Sequence, residues 1–141
     1  MPSLLEIEEA IADALRTAIA GEIDGLQVYP YGPLSNPTPP ALDVYPGSPF
    51  QTGAGMGVGN SQVWFTIRAR VSTADQESAN KLLLRMLDPN DAASVEAALE
   101  PLRDAPMSIS PEGVSEFREY LEDSATNGRL LGCEWRVTTF L

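Results

Sequence analysis

The sequence predicts an α+β fold, and three observations carry that prediction. First, residues 62–88, QVWFTIRARVSTADQESANKLLLRMLD, run from a strand straight into a helix. Val63, Phe65, Ile67, Ala69 and Val71 alternate with Trp64, Thr66, Arg68, Arg70 and Ser72, the two-residue period of a strand covered on one side. At Ser72-Thr73 the period changes, and Ala79, Leu82, Leu83, Met86 and Leu87 recur at helical spacing. Second, Leu131, Cys133, Trp135, Val137 and Thr139 alternate with Gly132, Glu134, Arg136, Thr138 and Phe140 near the end of the chain. Third, the strands lie on either side of one helical block, which argues against a repeating βαβ arrangement.

Taken in order, Ser3-Leu4-Leu5-Glu6 has the form of a capping box, with Ser3 as N-cap and Glu6 reaching back to its amide. The helix that follows places Leu4, Ile7, Ile11, Leu15, Ala18 and Ile19 on one face, and Gly21 and Gly25 mark its end. Leu26–Tyr29 and Ala41–Tyr45 read as short strands. Seven prolines between Pro30 and Pro49 predict that these strands are sheet edges or short pieces. Residues 46–62, PGSPFQTGAGMGVGNSQ, read as a long glycine-rich loop, a kind of segment that usually carries function. After the long strand and its helix, Asp88-Pro89-Asn90 is a stop, and a second helical piece spans 92–100, ending at Pro101. Residues 105–123 leave two short strands open, around Met107–Ser110 and Val114–Leu121. Asn127-Gly128 predicts a hairpin turn into the last strand.

The 141 residues suit one domain with a core of ordinary size, because 43% are hydrophobic. The formal net charge is −11, and no Lys or Arg occurs between Arg16 and Arg68. Nonspecific nucleic-acid binding needs cations at phosphates, so this balance opposes it. The charge predicts a solvated acidic surface or a basic partner. The single cysteine, Cys133, shares parity with Leu131, Trp135 and Val137 and is expected to be a buried thiol. No apolar run approaches the roughly 20 residues that span a bilayer. The N-terminus lacks the pattern of a signal peptide, so a protein made in a cytoplasm, with no membrane partner, is expected.

Motifs that would supply chemistry fail on their residues. Gly53, Gly55, Gly57 and Gly59 form a cluster, but no spacing gives the dinucleotide fingerprint, and a strand follows where a phosphate-binding helix would be needed. Asp88-Pro89-Asn90-Asp91 opens like a calcium loop, yet Ala93 stands at the turn glycine and Leu99 at the bidentate glutamate. The same residues read as a helix stop followed by a new N-cap. The three P-x-x-P matches, from Pro30, Pro37 and Pro46, lack a neighbouring basic residue and read as rigid loop punctuation. Glu116, Glu119, Glu122 and Asp123 read as solvated surface carboxylates. With no histidine in the chain, the usual general base and the commonest metal ligand are missing. Neither a catalytic site, a metal nor a cofactor is expected.

What remains is the second face of the sheet. Trp64, Thr66, Arg68 and Arg70 on one strand, with Glu134, Arg136 and Phe140 on the last, point away from the apolar set. Arginine and aromatic residues are enriched in protein interfaces. The other reading is that Trp64 and Phe140 are covered by a loop or by the first helix.

A family resemblance runs through nearly the whole chain. The N-terminal amphipathic helix, the strand near Leu26, the Ala41-Leu42-Asp43-Val44 strand, FTIRARVSTADQESANKLLLRMLD, DAASVEAALE and LLGCEWRVTTF together resemble the tail terminator (tail completion) proteins of long-tailed bacteriophages. Residues 62–100 and 128–140 are its most specific parts. The resemblance implies a mostly antiparallel sheet of four to five strands, with the N-terminal and central helices packed on one face. It implies a homo-oligomeric ring, with six copies expected, at the head-proximal end of the tail tube in the virion. Such a ring stops tube polymerisation and offers a surface to the head. Its partners would be the tail tube protein and a head–tail connector protein, with DNA passing through unbound. On that reading Trp64, Arg68, Arg70, Glu134, Arg136 and Phe140 are ring contacts, and Phe50, Met56 and Val58 belong to a partner-facing loop. A connector ring and, more distantly, a small ligand-binding domain of a cellular protein are the competing readings.

Overall fold

The computed structural model describes residues 3–30, 39–53, 61–104, 106–120 and 130–140. Helix α1 (Leu4–Ile19) begins at the expected capping box: the Ser3 amide donates to Glu6 at 2.9 Å and the Glu6 amide donates to the Ser3 hydroxyl at 3.1 Å. Ile7, Ile11, Leu15 and Ile19 are buried along one side of it. Each buried side chain of this size contributes roughly 1.5–3 kcal/mol.

Strand β1 (Gln27–Tyr29) runs parallel to the start of β2 (Ala41–Gly53), and every other strand pairing among the described residues is antiparallel. Strand β3 (Ser61–Ser72) leads into helix α2 (Gln76–Leu87), which Asp75 caps through its carboxylate. A one-turn helix α3 (Val95–Ala98) and a 3₁₀ turn (Glu100–Leu102) follow. Strands β4 (Ser110–Val114) and β5 (Arg118–Tyr120) both pair with β6 (Leu130–Phe140). The spatial order is β1-β2-β3-β6-β4, with β5 on the same side of β6 as β4. The fold is α+β and mostly antiparallel, and the described residues hold six strands where four to five are expected. The additional strand comes from 105–123, where β4 and β5 hold only five and three residues, too few to display a period.

One core holds the layers together. Leu42 and Val44 from β2, Val63 to Val71 at alternate positions of β3, and Cys133, Trp135 and Val137 from β6 meet the buried side of α1 together with Ala79, Leu83 and Met86 of α2. The helices therefore lie on the sheet face defined by these alternating residues. Cys133 is buried in the core as expected, and burial first, then the Glu134 charge, pushes its thiol up to about 12.

Two expectations about the segment after Tyr45 do not hold. Residues 46–53 are strand, and only 54–60 of the expected loop lie outside the described residues. Strand β2 is also neither short nor an edge at its start, since Ala41–Asp43 sit between β1 and β3. The prolines are accommodated because the β2–β3 register shifts between Pro46 and Gln51. Such an irregularity tolerates residues that lack an N–H donor. Beyond α2, the helical piece expected at 92–100 is shorter and later. Ser94 caps α3, and Pro101 lies inside the 3₁₀ turn rather than ending a helix. Asp88 and Asp91 act as turn caps, accepting from the amides of Asn90 and Ala93 at 2.9 Å each. Asn127-Gly128 falls outside the described residues, but β5 and β6 pair as the hairpin reading requires.

Candidate functional site

Register decides what shares the second face. Residues opposite one another in an antiparallel pair point the same way. Asp43 lies opposite Arg68, and Arg68 opposite Glu134. Tyr45 lies opposite Thr66, and Thr66 opposite Arg136. Trp64 lies opposite Thr138, and Gln62 opposite Phe140. The face is thus a grid of polar and aromatic side chains on three long strands, and its two ends differ.

At the end nearest β1 the face is closed. Ala41, Asp43, Arg70 and Leu130 have no exposed surface, and Arg68 is 9% exposed. The Asp43 carboxylate accepts from Arg68 at 2.8 Å and from Arg70 at 3.1 Å, through the same oxygen. Burying an ion pair costs several kcal/mol per ion in lost hydration, which mutual attraction and hydrogen bonds must offset. Arg68 also lies over the Tyr45 ring at 5.3 Å. Burial pushes the Tyr45 hydroxyl above its usual range, and the Glu134 charge adds to that effect while Arg68 opposes it. Arg70 and Arg68 are consequently internal groups. As ring contacts they are corrected: enclosed by their own chain, they have almost no surface left to offer a neighbour.

At the other end the face opens. A groove of about 640 Å³ is bordered by Tyr45, Pro46 and Thr66 on one side and by β4 on the other, with Glu134 and Arg136 on its floor. Arg136 is exposed and stacks over Trp64, its guanidinium carbon 4.8 Å from the ring centroid. Glu112 joins the stack, accepting from the Trp64 indole N–H and lying 3.7 Å from Arg136. Glu112 reaches across because the β4–β6 register slips between Pro111 and Gly113, leaving it as the extra residue of a bulge. Glu134 takes an ion pair from Arg118 at 3.6 Å, and its amide donates to the Ser115 hydroxyl at 2.9 Å. Gly47 packs closely against Trp64: a Cβ there would lie 3.0 Å from the Trp64 Cβ, tighter than an ordinary contact.

The two readings of the aromatic pair divide between its members. Trp64 is 8% exposed, covered within its own chain, whereas Phe140 is 58% exposed at the rim of the open end. Arg136 and Glu134 remain accessible beside the groove. Phe50 is no loop residue. It belongs to β2, is half-buried against the core and meets Phe65 edge-on at 5.6 Å. Met56 and Val58 lie outside the described residues.

Three participants were missed by the sequence reading: Asp43, Tyr45 and Glu112. Asp43 carried a signal, since alternation in Ala41-Leu42-Asp43-Val44-Tyr45 places it and Tyr45 opposite the core residues. Its pairing with two arginines depends on strand register, which alternation does not specify. Glu112 carried none, because a bulge in a five-residue strand leaves no periodic trace.

The charges of this face nearly balance, with Asp43, Glu112 and Glu134 against Arg68, Arg70, Arg118 and Arg136. Among the described residues no group of His, Cys, Asp or Glu is arranged to hold a metal ion. No helix among them is long and apolar enough to cross a membrane. No protein-family model matches the chain, and no curated protein matches it.

Proposed function

We propose that this chain is a structural subunit of a bacteriophage tail, forming a ring at the head-proximal end of the tail tube that stops tube growth and receives the head. The observation that carries the reading is where its two most family-like stretches fall. Within 62–100 and 128–140, residues 62–72 and 130–140 belong to β3 and β6, paired over eleven register positions at the centre of the sheet, with α2 on their apolar side. The stretches that carry the resemblance therefore form one continuous unit. The open end of that unit presents an exposed aromatic residue, an arginine–tryptophan stack and balanced charge, the composition of a contact surface. Assembly is the mechanism: protomers bury surface against one another, and the finished ring occupies the tube end so that no further tube ring adds. DNA passes without being held, because an acidic protein offers phosphate few cations.

The deciding experiment is deletion of the gene in its phage, with tails viewed by electron microscopy. Overlong tubes and unjoined heads are the expected outcome. Free tails of normal length would replace this reading with a connector ring, which joins the head without setting tube length. The groove beside Tyr45 and Arg136 favours one further reading, a small ligand-binding module. Retention of a small molecule by the purified protein, with normal tails after deletion, would establish it.

A further inference from the structure

The charge of the molecule is divided between its layers. The helices and their connecting turns, residues 4–24 and 75–104, carry thirteen acidic side chains and four basic ones. All four cations already lie beside an acid of the same layer, at 2.8–3.4 Å. The strands and turns of the sheet, counted the same way over the described residues within 27–53, 61–72 and 106–140, carry five acids and four arginines. Two copies meeting helix layer to helix layer would bring large like charges together and strip them of water, whereas the sheet face brings almost no net charge to a contact.

From this we infer that a second copy of this chain docks on the open end of the sheet face, at Phe140, Arg136 and the groove beside Tyr45, with the helix layer of both copies left in water. This inference rests on the ring-forming reading and names the surface that reading uses. A standard interface takes about 800 Å² per partner, roughly a tenth of the 7334 Å² that the chain exposes. Phe140 supplies the exposed aromatic anchor of such a contact, and the Arg136–Trp64 stack lies beside it on the same face.

Sedimentation of the full chain over a range of concentrations tests this, with two matched variants, Phe140→Asp and Leu84→Asp. Both positions are exposed apolar residues, 58% and 51% respectively, but Leu84 belongs to α2. Circular dichroism establishes that each variant is folded. The wild-type chain is expected to self-associate, Phe140→Asp to weaken association at least tenfold, and Leu84→Asp to leave it unchanged. Association is also expected to strengthen between about 0.05 and 0.5 M salt, because salt screens the repulsion between acidic layers. A chain that stays monomeric, a loss confined to Leu84→Asp, or association that weakens with salt would each overturn the inference. The functional reading fails separately. A monomer that still limits tube length overturns the docking surface alone, and an oligomer through Phe140 with no effect on tube length overturns the function alone.

Discussion

The two ends of the sheet's second face use the same residue types to opposite effect. At the closed end Arg68 and Arg70 converge on Asp43, with Arg70 and Asp43 fully enclosed. At the open end Arg136 and Glu112 gather on Trp64 while remaining in contact with water. The long strands β2, β3 and β6 run through both places, but β1 and β5 flank the closed end and β4 the open one, and the two ends differ in cover. An arginine–carboxylate pair sealed from water is costly to break, and the same pair at the surface is screened and worth little. Composition alone does not say which arginine is structural and which is available to a partner.

Substitutions rank along this contrast. Asp43→Ala is expected to have the largest effect, destabilising the fold by about 3–5 kcal/mol, because it removes the carboxylate shared by two buried guanidinium groups. Urea unfolding measures it, and a loss under about 1 kcal/mol would mean that the closed end is not sealed. Next, Gly47→Ala presses a methyl group onto Trp64 and is expected to cost about 1–3 kcal/mol. In that variant Trp64 fluorescence should shift, since the indole must move.

Arg136→Ala is expected to cost no more than about 1 kcal/mol, because its stack and its 3.7 Å ion pair are both solvent-screened. A cost as large as that of Asp43→Ala would erase the distinction between the two ends.

The smallest effect is a pH dependence away from this face, where no sealed charges are involved. Hydrogen bonds from Ser78 and from the Ala93 amide, the latter aided by Arg85, hold Asp75 and Asp91 below the ordinary carboxylate value of 3.8. Their contribution is present above that value and lost as pH falls through the lower folded values. Glu8 behaves oppositely: burial, then the neighbouring Glu9, raises it above 4.5. The folded chain holds that proton more tightly, so this contribution fades as pH rises through the window just above 4.5. Urea midpoints taken across pH 3–6 should lose part of the first slope in Asp91→Asn, the rest remaining with Asp75, and the second in Glu8→Gln.

Much of the fold was legible because it is periodic. The alternation in 62–72 and 130–140 named the core faces of β3 and β6 residue by residue, and Ser3 and Glu6 marked the start of α1. What escaped was short or irregular. The strand after Tyr45 was hidden by Pro46 and Pro49, which read as loop until a shift in register accommodates them. The candidate site was legible as a set of side chains and not as an arrangement. Parity placed Arg68, Arg70 and Arg136 on one face, but only register and cover separate the two that are sealed in from the one that is exposed.

Cys133 carries a practical consequence. It is the chain's one thiol, and it is enclosed in the core with its ionisation suppressed. A cysteine introduced at position 140 or 84 would then be the only sulfur that a maleimide reaches on the folded protein. The wild-type background thus serves as a cysteine-free scaffold without mutation. Fluorophores or cross-linkers of known length, placed one at a time on either layer, would measure directly which surfaces of two molecules come together.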